Sequence, residues 1–92
     1  MLRIAQHTKF KSDSKRLMRS GRFSEIDEKN LFNVIEDLVQ GKKLEQRYKD
    51  HSLTGNWNNH RECHIKPDLL LIYRVVGDTL KLIRLGSHSD LY

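Results

Sequence analysis

HRECHIKPDLLLIYRVVGDTLKLIRL, residues 60–85, is the stretch on which the fold turns. His60 to Ile65 alternates with a period of two, which places Cys63 and Ile65 on one face of a strand and His60, Glu62 and His64 on the other. The second face is polar, hence wet or functional. Lys66-Pro67-Asp68 carries turn chemistry, and Leu69 to Val76 is an apolar run suited to a central buried strand. Gly77-Asp78 is a two-residue hairpin signal, so Thr79 to Leu85 returns antiparallel. Three sequential antiparallel strands follow from this one stretch.

Upstream the period lengthens to that of helices. Ile4 and its neighbours read as a short first strand, and Thr8 as the N-cap of a helix running towards Ser20, with Phe10, Leu17 and Met18 on one side. Gly21 supplies the stop. Ser24, with Asp27 three residues on, starts a second helix in a capping-box arrangement. Leu31, Val34, Ile35 and Leu38 then recur at i, i+3, i+4, i+7, the stripe of a core-facing helix that Gly41 ends. The expectation is one α+β domain over residues 1–92, an N-terminal helical hairpin packed on a small antiparallel sheet.

Charge is distributed unevenly along the chain. Residues 1–49 hold 12 Lys and Arg against 7 Asp and Glu, while residues 50–92 hold 5 of each. The densest basic run, Lys9, Lys11, Lys15, Arg16, Arg19 and Arg22, is opposed locally by Asp13 alone, which suits a phosphate-rich partner. The longest apolar run, Leu69 to Tyr73, falls well short of a membrane span, and no secretory signal opens the chain. Cys63 is the only cysteine, so an internal disulfide is excluded. These features predict a cytoplasmic protein.

Four of the five histidines, His51, His60, His64 and His88, lie in the β half with Asp68 and Tyr92. Histidine ordinarily titrates nearest neutrality, so such a group suits proton transfer. His60 and His64, four apart on a strand, are separated by roughly 13 Å, too far for one ion. No metal and no cofactor are expected. Isolated glycines at 41, 55, 77 and 86 give no phosphate-binding loop, and the alternation turns Cys63 inward, away from nucleophilic work. Trp57 and Tyr73 read as packing residues.

Three motifs, Lys49-Asp50-His51-x-Leu53-x-Gly55-x-Trp57, His64-Ile65-Lys66-Pro67-Asp68, and Gly86-Ser87-His88-x-x-Leu91 followed by an aromatic residue, together resemble the YafQ branch of the RelE superfamily of bacterial toxins. The resemblance covers the last half of the chain closely, and the helical hairpin has the order and length it implies. It implies a RelE-like microbial ribonuclease fold and an endoribonuclease that cleaves messenger RNA in the ribosomal A site without a metal. The RNA's own 2′-hydroxyl would be the nucleophile, and a cognate antitoxin would silence the enzyme. Contact with DNA would come only through the antitoxin complex. The family's site falls on His51, His64, Asp68, His88 and Tyr92.

In that assignment His88 is the general acid to the leaving oxygen, and Asp68 acts as base or orients a histidine. His51 and His64 bind or polarise the scissile phosphate and share the base role. Tyr92 stands where the branch has phenylalanine, and Leu69 where it has tryptophan after the aspartate. Lys9, Lys11, Lys15, Arg16 and Arg19 would dock the ribosome. Two alternatives stand beside this reading: a non-catalytic basic RNA- or protein-binding module, and a gyrase-poisoning toxin of the ParE kind on the same fold. Neither has an evident need for the histidine and aspartate set.

Overall fold

The two faces of the sheet carry two different hydrophobic clusters. A computed structural model describes residues 1–92. In chain order it contains β1 (Arg3–Gln6), α1 (Thr8–Ser20), α2 (Glu25–Val39), β2 (His51–Ser52), β3 (Arg61–Lys66), β4 (Leu69–Val76), β5 (Thr79–Gly86) and α3 (His88–Leu91). Single 3-10 turns at Gln46–Tyr48 and Gly55–Trp57 flank β2. No helix is long and apolar enough to cross a membrane.

The sheet order is β1-β5-β4-β3-β2. Strands β3 to β5 pair antiparallel, as the turn signals require, with Gly77 at φ +59° in the β4–β5 hairpin, and the two-residue β2 adds an antiparallel edge on β3. β1 adds a parallel edge against β5, Ile4 opposite Leu80, so the sheet is mixed rather than wholly antiparallel. The reason lies in the connection: α1 and α2 intervene between β1 and the hairpins, and a long crossover permits a parallel return.

Cys63, Ile65, Leu69, Leu71, Tyr73, Leu80, Leu82 and Leu85 point to the helix side, where they pack with Phe10, Val34 and Leu38. Full burial of a side chain such as Leu71 or Val34 contributes roughly 1.5–3 kcal/mol each. The opposite face carries a smaller cluster, Leu70, Ile72 and Leu91, with Leu53, Trp57 and Ile83 against it. This second cluster holds α3 down on the sheet.

α2 is capped where its sequence predicts, and α1 one residue earlier. Ser24 Oγ accepts from Asp27 N while Asp27 Oδ2 accepts from Ser24 N, a complete capping box. On α1 the cap is His7, whose Nδ1 accepts from Lys9 N, and Thr8 is already helical. Met18, expected on the core side, is 65% exposed, whereas Phe10 and Leu17 pack inward.

α1 is tied to β5 by a buried carboxylate. Asp13 accepts from Arg84 Nε at 2.8 Å, from Arg16 Nη1 at 3.1 Å and from the backbone N–H of Leu85 at 2.9 Å. β1 pairs with β5 only as far as Leu82, so Asp13 supplies the acceptor that the edge of β5 lacks beyond it. Burial alone would raise the Asp13 pKa, but the hydrogen bonds from Arg84 and Leu85 outweigh it and hold the carboxyl below its ordinary 3.8.

Candidate active site

β3 and α3 build the site on the sheet face away from the helical hairpin. His64 and Glu62 project from that face of β3, and β2 pairs His51 directly opposite Glu62. The register slips between His64 and Lys66, a bulge that ends regular pairing where the strand meets the Pro67-Asp68 turn. Ser87 and Asp90 form a second capping box, which starts α3 at His88. Gly86 leaves room for it, since a Cβ there would lie 3.0 Å from the Asp90 side chain.

Three imidazoles stand in a row. The ring centroids of His51 and His64 are 6.0 Å apart, and those of His64 and His88 are 5.9 Å apart. His88 Nδ1 lies 2.7 Å from Asp68 Oδ1, which also accepts the backbone N–H of His88 at 2.9 Å. An ionised carboxylate only accepts, so Nδ1 carries the proton and Nε2 is left free for chemistry. The same two bonds, backbone first and side chain second, hold the Asp68 carboxyl below its ordinary range.

The other end of the row centres on Glu62. His51 Nδ1 is 2.6 Å from the carbonyl of Lys49, a pure acceptor, which fixes the proton on that nitrogen and turns Nε2 towards Glu62 at 3.4 Å. His64 Nε2 is 3.8 Å from the same oxygen, and the Tyr92 hydroxyl donates to the other. Burial and then this bond to Glu62 raise the Tyr92 phenol well above its ordinary value. Beneath His51, Asp50 accepts from Tyr73 at 2.6 Å and from both the Nε and Nη2 of Arg61, which anchors the short β2.

All five predicted site residues, His51, His64, Asp68, His88 and Tyr92, therefore converge. His60 does not join them: it precedes β3, packs edge-on to Trp57 and bonds the Asn58 carbonyl. Trp57 is half-buried in the outer cluster and meets Tyr92 edge to face. Cys63 is fully buried, and burial drives its thiol far above the ordinary range, which agrees with a packing role. Lys9, Lys11, Lys15, Arg16 and Arg19 are all exposed on α1, and Arg16 also reaches the buried Asp13.

Glu62 lies at the centre of the candidate site, and sequence reasoning passed over it. It was visible on the polar face of β3, but it is buried, not wet, because β2 and Tyr92 close over it. Its position also bears on metal binding. His60 and His64 remain unsuited as a pair, yet His51, Glu62 and His64 bring three ligand atoms within 4.8 Å of one another across two strands. Two neutral nitrogens and a carboxylate at that spacing fit a single divalent cation of the zinc or copper type.

A helical hairpin on one face of a small mixed sheet, with a titratable row on the other, defines the RelE-like α+β class of small toxins. A family profile described as the YafQ toxin of bacterial type II toxin–antitoxin systems matches residues 2–92, and the chain belongs to that family. The mRNA interferase toxin YafQ of Escherichia coli K12 is 42% identical over 45 residues, 49% of each chain. The matches to curated relatives span 49% to 60% of those proteins' length. Solved structures align over the whole chain. A metal-bound toxin from Helicobacter pylori superposes with a TM-score of 0.88 at 44% identity, covering 100% of both chains. The toxin of the Escherichia coli DinJ–YafQ complex superposes with a TM-score of 0.86 at 28% identity, covering 100% of this chain and 99% of that one.

Proposed function

We propose that this toxin is an endoribonuclease that cleaves messenger RNA by acid–base catalysis, with the substrate's 2′-hydroxyl as nucleophile. The 2′-oxygen loses its proton and attacks the adjacent phosphorus; the bond to the 5′-oxygen breaks, and that oxygen takes up a proton. The products are a 2′,3′-cyclic phosphate and a free 5′-hydroxyl. The observation that carries the reading is the row of three imidazoles, supported by a carboxylate at each end.

His88 is the acid. Its Nδ1 is committed to Asp68, so the protonated ring presents Nε2–H to the leaving oxygen. Asp68, held ionised by two donors, orients His88 and supports its positive charge, which suits it better than proton abstraction does. His51 and His64 flank the phosphate and share the base role, with Glu62 receiving the charge that builds on them. A divalent cation held by His51, Glu62 and His64 would supply Lewis-acid stabilisation of phosphate charge. The reaction proposed uses those nitrogens for protons instead.

The basic arc of α1 supports docking to ribosomal RNA, and the ribosomal A site would hold the messenger in line for attack. The likeness to the toxin of the DinJ–YafQ toxin–antitoxin complex supports silencing by a cognate antitoxin here as well. A passive binding module or a gyrase poison would leave the histidine row without work. The test is to induce the chain and map messenger 5′ ends for wild type, His88→Ala and Asp68→Ala. New 5′ ends are expected with wild type and their loss with both variants; identical maps in all three would overturn the catalytic assignment.

A further inference from the structure

Beside Asp68 the surface opens into a cavity of about 380 Å³, which Glu62 does not line. Three cations from separate elements line it: Arg16 from α1, Arg22 from the α1–α2 turn and Lys66 from the end of β3. Ser87 and Ser89 add hydroxyls from the His88 end of the molecule, and Leu69 lies beneath. Its two acidic residues are already engaged. Asp68 accepts both His88 donors, and Asp90 accepts from Ser87 N with Arg16 nearby at 3.7 Å.

The cations differ in how far they are committed. Lys66 is held by Asp27 at 2.7 Å. Arg16 spends Nη1 on Asp13 and has Nη2 3.7 Å from Asp90, an ion pair beyond hydrogen-bond reach, which leaves its remaining N–H donors unbonded on a side chain 48% exposed. Arg22 is exposed, and its guanidinium makes no ion pair. An unpaired guanidinium beside a half-free one, in a concave site with hydroxyls, is the chemistry that recognises a phosphate dianion or diester.

We propose that this cavity is a phosphate subsite, taking the backbone phosphate next to the scissile one in the bound RNA strand. The inference rests on the ribonuclease reading and adds its substrate track. The imidazoles follow one another from His51 through His64 to His88, and the cavity adjoins the His88 end: Asp68, which holds His88, and Ser87 and Ser89, which flank it in sequence, all line the cavity. A strand with its scissile phosphate on the row thus has its neighbouring phosphate over Arg16 and Arg22. The arginines position the strand and take no proton. Arg16 accordingly serves the substrate, while Lys9, Lys11, Lys15 and Arg19 remain for docking.

The experiment uses short RNA strands made uncleavable by a 2′-deoxy sugar at the cut position, titrated into the labelled full chain by NMR. One strand carries an ordinary phosphodiester at the adjacent linkage, and the other a neutral methylphosphonate. Wild type is expected to lose about tenfold in affinity for the neutral strand, the worth of one charge-assisted contact. Arg22→Gln, and Arg16→Gln with Arg22→Gln, should bind both strands alike. A penalty that persists in the double variant, or is missing in wild type, overturns the subsite. So does saturation of the Arg22 resonances by inorganic phosphate as tightly as by the strand, which would mark a free-anion site. Arg22→Gln changes only an exposed turn residue, so loss of fold does not cloud the result. Binding of an uncleavable strand is read whether or not the chain cuts RNA. Failure of the 5′-end mapping would strike the catalytic reading alone.

Discussion

Asp68 shows how much a single side chain settles. One oxygen takes both the main-chain and ring protons of His88, so the tautomer of the proposed acid is fixed by geometry rather than by chance. Asp68→Asn keeps an acceptor there but removes the charge that supports an imidazolium. Cleavage is expected to fall by a factor on the order of 10²–10⁴, with substrate binding little changed. Single-turnover rates beside a binding titration check this; an unaltered rate would remove Asp68 from the machinery. The motifs made His51, His64, Asp68, His88 and Tyr92 legible, because each has a fixed neighbour in sequence. Glu62 was not legible as a site residue. A carboxylate on an alternating strand looks solvated until a partner strand covers it, and that strand lies about ten residues upstream.

Among elements, α1 and β5 are joined through Asp13, and α3 is held by Leu91 and a capping box. The folded carboxyl of Asp13 sits below its ordinary 3.8, so its stabilisation is complete above that value and disappears as pH falls through the depressed one. Asp13→Asn is expected to cost about 1.5–3 kcal/mol at pH 7, the range for hydrogen bonds to a charged group. Urea midpoints of wild type and variant should converge once the pH is low enough to protonate Asp13. A gap that is constant with pH would show that the charge contributes nothing. The sequence contained the signal for α3, because Ser87 and Asp90 repeat the spacing of Ser24 and Asp27 that marks α2. With only four residues, α3 offers no apolar period to draw attention to it.

The whole molecule separates its surfaces: basic side chains on α1, the titratable row on the far face of the sheet, and a cavity lined by Arg16, Arg22 and Lys66 that adjoins both. Replacing Lys9, Lys11 and Lys15 by Gln removes charge from the outer arc and leaves Arg16 and Arg22 in place. Ribosome binding should weaken, with its log–log salt slope falling by about one for each phosphate that is no longer neutralised. An unchanged slope would mean that α1 docks nothing. Sequence alone determined the helical hairpin, the β3–β4–β5 meander and the inward Cys63, and its motifs marked the residues that the fold brings together at the candidate site. All of these follow from short-range periodicity, caps, turns and motifs, which act over a few residues. Only the tertiary structure decided that β1 lies parallel to β5, that Glu62 is buried between His51, His64 and Tyr92, and that Arg16, Arg22 and Lys66 share one cavity. The pairings of β1 with β5, of Glu62 with Tyr92 and of Arg22 with Lys66 join residues 30 or more positions apart, and no local pattern encodes the distance between two side chains that meet only when the sheet closes.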